Sequence, residues 1–254
     1  MPAARSHSGA DDVTVDGLTR DWKIAQRRRG HRHSTDDLLT GWYAAEHAAR
    51  RTRLLDLGSG IGSVGLLVLW RSPGATLTAI EAQDVSFALL ERNVAMNGLT
   101  ERVHAIHGDL REVRLTGQSF DLVTGSPPYF DVSAGIVPAD AQKAHARFEL
   151  RGDVRDYCKA ACDAMSADGR FVFCFPWAQR VRAEAACAKA DLAIERSRDV
   201  VPKLGTAPLF SLFVCRRHVD GAEAPILEPP YVVRGADGEP TAEHRAARAT
   251  FGMV

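Results

Sequence analysis

The chain has no excess of charge of either sign: 32 Lys and Arg balance 32 Asp and Glu over 254 residues. A neutral total excludes the generally basic surface that advertises many nucleic-acid binders, so any RNA-binding face must be local. Cysteine is scarce and odd in number. Cys158, Cys162, Cys174, Cys187 and Cys215 are scattered without paired CxxC spacing, which speaks against a disulfide framework or thiolate metal site and predicts buried free thiols. No apolar run approaches the roughly 20 residues that span a bilayer. Met1 to Ala10 lacks the apolar core of a signal peptide, and a reducing cytoplasm is the expected location. The nine histidines show no HxxxH spacing, and no metal site is expected. The composition, 45% apolar and 25% charged, is that of an ordinary globular protein. The length suits one large α/β domain with additions, expected to act as a monomer.

Residues 1–12 are small, polar and aperiodic, and read as a flexible tail. In residues 13–50 a short strand pair (Val13, Val15 and Leu18, then Trp22 and Ile24) leads through an Arg-rich run to a helix opened by Ser34-Thr35-Asp36. This segment is expected to cap a cofactor site built by residues 51–254. From Leu54 onward short apolar runs alternate with amphipathic stretches. Strands are predicted at 54–57, 77–80, 103–106, 120–123, 171–175, 191–200 and 209–214, and helices at 62–70, 84–96, 153–165 and 178–189. Such alternation predicts an α/β fold with a doubly wound, mostly parallel seven-stranded sheet. The last two strands have only Pro202 to Pro208 between them, which predicts an antiparallel edge hairpin.

The first of these strands runs into Asp56-Leu57-Gly58-Ser59-Gly60-Ile61-Gly62. Glycines serve where a backbone turns sharply or a ligand approaches it closely, and free N–H groups at a helix start favour an anionic oxygen. A GxGxxG register, Gly60, Gly62 and Gly65, also admits a nicotinamide or flavin nucleotide. Charge separates the two. A carboxylate at Asp56 would repel a pyrophosphate but suits the cationic methionine end of S-adenosylmethionine (SAM). Glu81, ending the second strand about twenty residues on, is placed to accept from ribose hydroxyls with either cofactor. Asp109, after the third strand, reads either as an acceptor for the cofactor's adenine amino group or as a turn residue following Gly108.

The fourth strand ends in Gly125-Ser126-Pro127-Pro128-Tyr129-Phe130. Two prolines cannot continue a ladder, and they stiffen a loop lying beside the crevice where open α/β sheets bind ligands. An exocyclic amine on an aromatic ring is a weak nucleophile because its lone pair is delocalised. Acceptors at Ser126 Oγ and the Pro127 carbonyl can bind its two N–H groups and aim the lone pair at a methyl sulfonium, while Tyr129 stacks on the base. Read alone, SPPY is better explained by a tight turn with an aromatic plug; some seventy residues after an acid-headed glycine loop, it points to methyl transfer.

Together these motifs resemble the class I SAM-dependent N-methyltransferases. Over roughly residues 13–252 the arrangement is most similar to the bacterial tRNA adenine-N(6)-methyltransferases that act beside the anticodon of a valine tRNA. The similarity includes the Arg-rich entry, Ser34-Thr35-Asp36, Ala146-Arg147-Phe148-Glu149-Leu150, and Asp237-Gly238-Glu239-Pro240-Thr241 with its following helix. The resemblance implies a Rossmann-like fold, cofactor contacts at Thr35, Asp56, Gly58, Gly60, Gly62, Glu81 and Asp109, and a target amine bound at Ser126, Pro127, Pro128 and Tyr129. One residue departs from the pattern: the family's loop begins with Asn, and here Ser126 stands in its place, which leaves the target base open.

Arg27, Arg28 and Arg29, with Arg32, form a local basic cluster suited to RNA phosphates, or else a solvated loop. Arg147 is placed to order the catalytic loop or touch the target. Three rival functions share the motifs. A protein glutamine N-methyltransferase uses the same PPY loop, but usually carries a helical domain for which the ~50 residues before the first strand are too few. An rRNA or DNA amino-methyltransferase is the second, though no segment has the size of a DNA target-recognition unit. The third, an inactive RNA-binding homologue, would not need Asp56 and the PPY loop intact.

Overall fold

The computed structural model describes residues 12–49, 52–130, 140, 142–144, 148–221 and 223–253. Eleven strands and six α-helices have their bounds among these residues, and residues 142–144 are helical as well. Two strands stand apart: β1 (Val13–Gly17) and β2 (Lys23–Arg27) form an antiparallel hairpin with Val13 opposite Arg27 and Gly17 opposite Lys23. The helix α1 (Thr35–Ala45) follows, its start fixed by Asp37, whose carboxylate accepts from the Ser34 backbone N–H at 3.1 Å. Of the expected 1–12 tail, residues 1–11 lie outside the described residues.

The main sheet is built on β3 (Arg53–Leu57), β4 (Thr76–Glu81), β5 (Val103–His107), β6 (Phe120–Gly125) and β7 (Met165–Pro176), all parallel to their neighbours within that group. Between them run α2 (Ser63–Arg71), α3 (Asp84–Met96) and α4 (Val154–Ala164). Beyond β7, α5 (Arg180–Lys189) precedes the antiparallel pair β8 (Leu192–Lys203) and β9 (Phe210–Arg217), with β9 inserted between β8 and β7. The expected hairpin is therefore present. It is not the outermost part of the sheet, because the short strands β10 (Ile226–Leu227) and β11 (Tyr231–Arg234) pair with the free side of β8. This makes nine strands rather than seven. The helix α6 (Ala242–Thr250) closes the chain, capped by Thr241, whose hydroxyl accepts from the His244 N–H.

Strands covered on both faces should be apolar at every position, with alternate residues facing alternate layers. The core divides that way. Leu54, Leu122, Val172, Cys174, Leu212 and Val214 pack with α1, α2 and α3. Leu55, Leu57, Val123, Phe171, Phe173 and Phe213 pack with α4 and α5. The chain winds outward from β3 in both directions, β4 then β5 on one side and β6 then β7 on the other. The carboxyl ends of β3 and β6 thus flank the topological switch point, where a crevice opens.

The hairpin β1–β2 is attached to this frame by two amides one helical turn apart, Asn93 in α3 and Asn97 at its C-cap. Asn93 Oδ1 accepts from the Ala25 N–H at 2.6 Å, and its Nδ2 donates to Ala25 O and to Ile61 O. Asn97 repeats the pattern on Lys23, accepting at 2.8 Å and donating at 2.8 Å. Spacing of four on the helix matches spacing of two on the strand, so two side chains stand in for a missing neighbour strand. All five cysteines are free and buried. No helix among the described residues is long and apolar enough to cross a membrane.

Candidate active site

The crevice is walled by the carboxyl ends of β3, β4 and β6, the loop after β5, and two pieces of the segment before the sheet. Asp56, Gly58, Gly60, Glu81, Asp109, Ser126 and Pro128 all line it. Residues 56–60 follow or end β3, Glu81 ends β4, Asp109 follows β5, and Ser126 follows β6. Four strand ends deliver them to one place.

Asp56 is the most deeply placed. Its Oδ1 accepts from the Thr124 hydroxyl at 2.6 Å and its Oδ2 from the Gly65 N–H at 3.2 Å. Burial outweighs both bonds and lifts its carboxyl to about 7. The glycine at 65 is explained by this carboxylate, since a Cβ there would come within 2.9 Å of Asp56 Oδ2. The GxGxxG register thus reflects close packing of α2 on β3 around an acid, not a pyrophosphate cradle. Gly58, Gly60 and Gly62 all adopt left-handed φ values, 59°, 57° and 91°. Gly58 is further constrained, because a Cβ would collide with the hydroxyl of the buried Tyr157.

Glu81 is also buried, which raises its carboxyl, while its two oxygens accept from Gly60 N–H at 2.8 Å and Gln83 N–H at 2.7 Å. It ties the glycine loop to the end of β4. Asp109 is held low by Arg111, which donates to both of its oxygens, and it also organises the turn that follows through the Arg111 N–H. The turn role is therefore realised in a residue that also lines the crevice.

Not every expected residue reaches the wall. Thr35 is exposed in the first turn of α1, and Gly62 caps α2; neither lines the crevice, nor do Pro127 and Tyr129. The Tyr129 ring is partly buried against both core layers, edge-on to Phe175 with centroids 6.2 Å apart, and its hydroxyl donates to Asp36 Oδ2 at 3.0 Å. Gln179 Nε2 donates to its carbonyl at 2.8 Å. The half-exposed aromatic ring of the loop is Phe130, packed on Phe148. Arg27 is engaged by Asp12 at 2.7 Å and Asp140 at 3.0 Å, and Arg32 by Asp16 at 3.0 Å. Arg28 and Arg29 are exposed and make no ion pair among the described residues. Arg147 lies outside the described residues.

The wall residues not picked out from the sequence include His31, Asp37, Gln142, Arg151 and Tyr157. Asp37 had a signal, following directly on the Ser34-Thr35-Asp36 helix start. Tyr157 had none, because one aromatic residue inside an amphipathic helix reads as core. With Asp37, Asp56, Glu81 and Asp109 against Arg151, whose guanidinium donates to Ala82 O, the wall is predominantly acidic. It suits a cationic ligand with hydroxyl groups and opposes a pyrophosphate. No group of three His, Cys, Asp or Glu among the described residues is arranged to hold a metal ion.

The methyltransferase small domain model matches residues 38–152, a span that begins within α1 and runs past the loop that follows β6. Over that span the chain is similar to the methyltransferase small domain family. Similar curated proteins include a tRNA1(Val) (adenine(37)-N6)-methyltransferase of Bacteroides thetaiotaomicron, 28% identical over 68% of this chain and 72% of the relative. A protein of the same description from a Flavobacteriaceae bacterium is 26% identical over 73% of this chain and 77% of its own length. Among solved structures, a predicted O-methyltransferase from Agrobacterium tumefaciens superposes with a TM-score of 0.65 at 18% identity, covering 87% of this chain and 98% of that one. This last likeness is one of fold.

Proposed function

We propose that the chain transfers a methyl group from SAM to the exocyclic amine of adenine in tRNA. The observation that carries the reading is the convergence of Asp56, Glu81, Asp109 and Ser126 on one acidic crevice at the switch point of the sheet. Its residues fit SAM group by group. Buried Asp56 suits the ammonium and sulfonium charges of the methionine end. Gly58 and Gly60 let the ligand approach the backbone. Glu81 takes the ribose hydroxyls, and Asp109 accepts from the adenine amino group. The segment before the sheet closes one side of the crevice through His31 and Asp37.

Bound SAM supplies an electrophilic methyl group on a sulfonium. The chain's own part is to orient the acceptor. Ser126 Oγ and the Pro127 carbonyl each accept one N–H of the target amine, which turns its lone pair out of conjugation with the ring and toward the methyl group. Positioning of this kind supplies much of a rate without a strong general base. The names of the relatives support adenine in tRNA as the target, and Arg28 with Arg29 provides a local cationic surface in a neutral protein.

The test has two arms. Calorimetric titration should show SAM and S-adenosylhomocysteine binding with micromolar affinity and NADH not binding; the opposite order would remove the basis of the reading. Transfer of labelled methyl from SAM to separate tRNA, rRNA, DNA and protein fractions should label tRNA, with N(6)-methyladenine recovered on digestion. Label confined to protein would favour the glutamine alternative.

A further inference from the structure

The departure at Ser126 has a structural counterpart on the neighbouring strand. Gly125, the last residue of β6, lies opposite Phe173 of β7, so the next residue of each strand, Ser126 and Cys174, come side by side. Phe173 and Phe175 point into the layer of α4 and α5, while Cys174 points to the other layer, toward α1. Cys174 is wholly buried. Its S–H donates to Ser126 Oγ at 3.6 Å, and its sulfur lies 3.3 Å from the Tyr129 hydroxyl, which in turn donates to Asp36 Oδ2 at 3.0 Å. Four side chains from three separate elements thus form one connected array, Asp36 to Tyr129 to Cys174 to Ser126.

Two of the three contacts carry a direction, and the Tyr129–Cys174 contact admits either donor. Burial pushes the Cys174 thiol up to about 12 and the Tyr129 hydroxyl well above its usual range, so both keep their hydrogens at any working pH. The Tyr129 hydrogen goes to the carboxylate of Asp36, and the thiol hydrogen is directed at Ser126. A serine hydroxyl has three rotamers and a shorter arm than asparagine, so without support its acceptor lone pair is not fixed in direction. A thiol donor beneath it removes that freedom.

We propose that Cys174 is a positioning residue for methyl transfer, fixing the Ser126 hydroxyl so that its remaining lone pair faces the target amine. The proposal rests on the reading of Ser126 as an acceptor for that amine. It also gives Tyr129 a role in this array through its hydroxyl rather than its ring face.

The decisive experiment combines a double-mutant cycle with a spectroscopic measurement that needs no substrate. In steady-state assays with the acceptor fraction that the parent methylates, Cys174→Ala should lower kcat about five- to tenfold, with SAM affinity unchanged. Cys174→Ser, which keeps a donor, should retain more activity than Cys174→Ala or Cys174→Val, whereas a residue that only fills space would rank Val and Ala with or above Ser. In a Ser126→Ala background, Cys174→Ala should have no further effect on kcat; full additivity overturns the proposal. In the ligand-free protein, the infrared S–H stretch assigned by its loss in Cys174→Ala should move to higher frequency in Ser126→Ala. An unmoved band overturns the donation whatever the acceptor proves to be. Should the parent label protein instead of RNA, the assignment to tRNA fails, while cycle and spectrum still decide the role of Cys174.

Discussion

A carboxyl held near 7 at the centre of a ligand site makes binding and stability move in opposite directions with pH. Asp56 is raised by burial from 3.8 to about 7. A cation arriving beside it favours the ionised form, so SAM uptake should release a proton. Affinity should fall about tenfold per pH unit below 7 and level off above it, measurable by titration calorimetry in buffers of different ionisation enthalpy. The stability linkage has the opposite sign. Because the folded value lies above the unfolded one, the contribution of this group is fully present below pH 3.8 and is lost as pH rises to about 7. Asp56→Asn should therefore abolish SAM binding yet stabilise the ligand-free protein at pH 8 by on the order of 2–3 kcal/mol in denaturant unfolding. The amide is tolerated because its oxygen can take the Gly65 N–H while the Thr124 hydroxyl rotates toward Leu55 O, 3.5 Å away. At Ser126, loss of an acceptor for the amine predicts that Ser126→Ala lowers kcat by roughly ten- to a hundredfold, about 1.5–3 kcal/mol, with SAM affinity intact. Ser126→Asn should keep or raise activity on adenine. An alanine variant as active as the parent would leave orientation to the Pro127 carbonyl alone.

Elements were legible from the sequence wherever burial on both faces wrote a continuous apolar run or one helical face. The span predicted for α3, 84–96, is the span observed, ended at Asn97-Gly98 where Gly98 takes a φ of 67°. The strands β10 and β11 were not legible. Ile226-Leu227 is too short to show alternation, and Pro225, Pro229 and Pro230 around them read as loop. Their place on the sheet is set by long-range partners instead: Glu228 accepts from Tyr43 Oη at 3.0 Å and from Arg196 at 3.1 Å. The site divides the same way. Acids and glycines at strand ends declare themselves by spacing, whereas the layer into which Tyr129 and Cys174 point depends on β6–β7 register. Asn93 is a further case, a fully buried polar residue in a helix that nothing local explains. Because its amide serves both β2 and the Ile61 carbonyl of the glycine loop, Asn93→Ala should destabilise the protein by about 2–4 kcal/mol in urea unfolding and weaken SAM binding. Asn97→Ala, on the exposed end of the same attachment, should cost less and leave SAM affinity unchanged.

Over the whole molecule the charges cancel, and the question for the proposed tRNA substrate is where cations remain uncommitted. An acidic crevice cannot hold a phosphate backbone, so contacts to RNA must lie outside it. The Arg-rich run that begins at the last residue of β2 carries four guanidinium groups, yet the structure pairs Arg27 with Asp12 and Asp140, and Arg32 with Asp16. Such paired groups gain little by meeting a phosphate, because one partner must be given up for another. Arg28 and Arg29 remain, exposed on the same short turn that carries His31 to the crevice wall. Each phosphate contact by an arginine releases counterions and steepens the fall of affinity with salt by a slope of just under one. The variant Arg28→Glu/Arg29→Glu should therefore bind tRNA more weakly by about ten- to a hundredfold at low salt, and its plot of log affinity against log salt should be shallower by about two. SAM affinity should stay at the parent value, since neither residue lines the crevice. An Arg27→Gln variant separates charge from structure: it should lose stability with little change in the salt slope. Equal slopes for the parent and the double variant would make residues 28 and 29 a solvated loop and move the RNA contact to another surface.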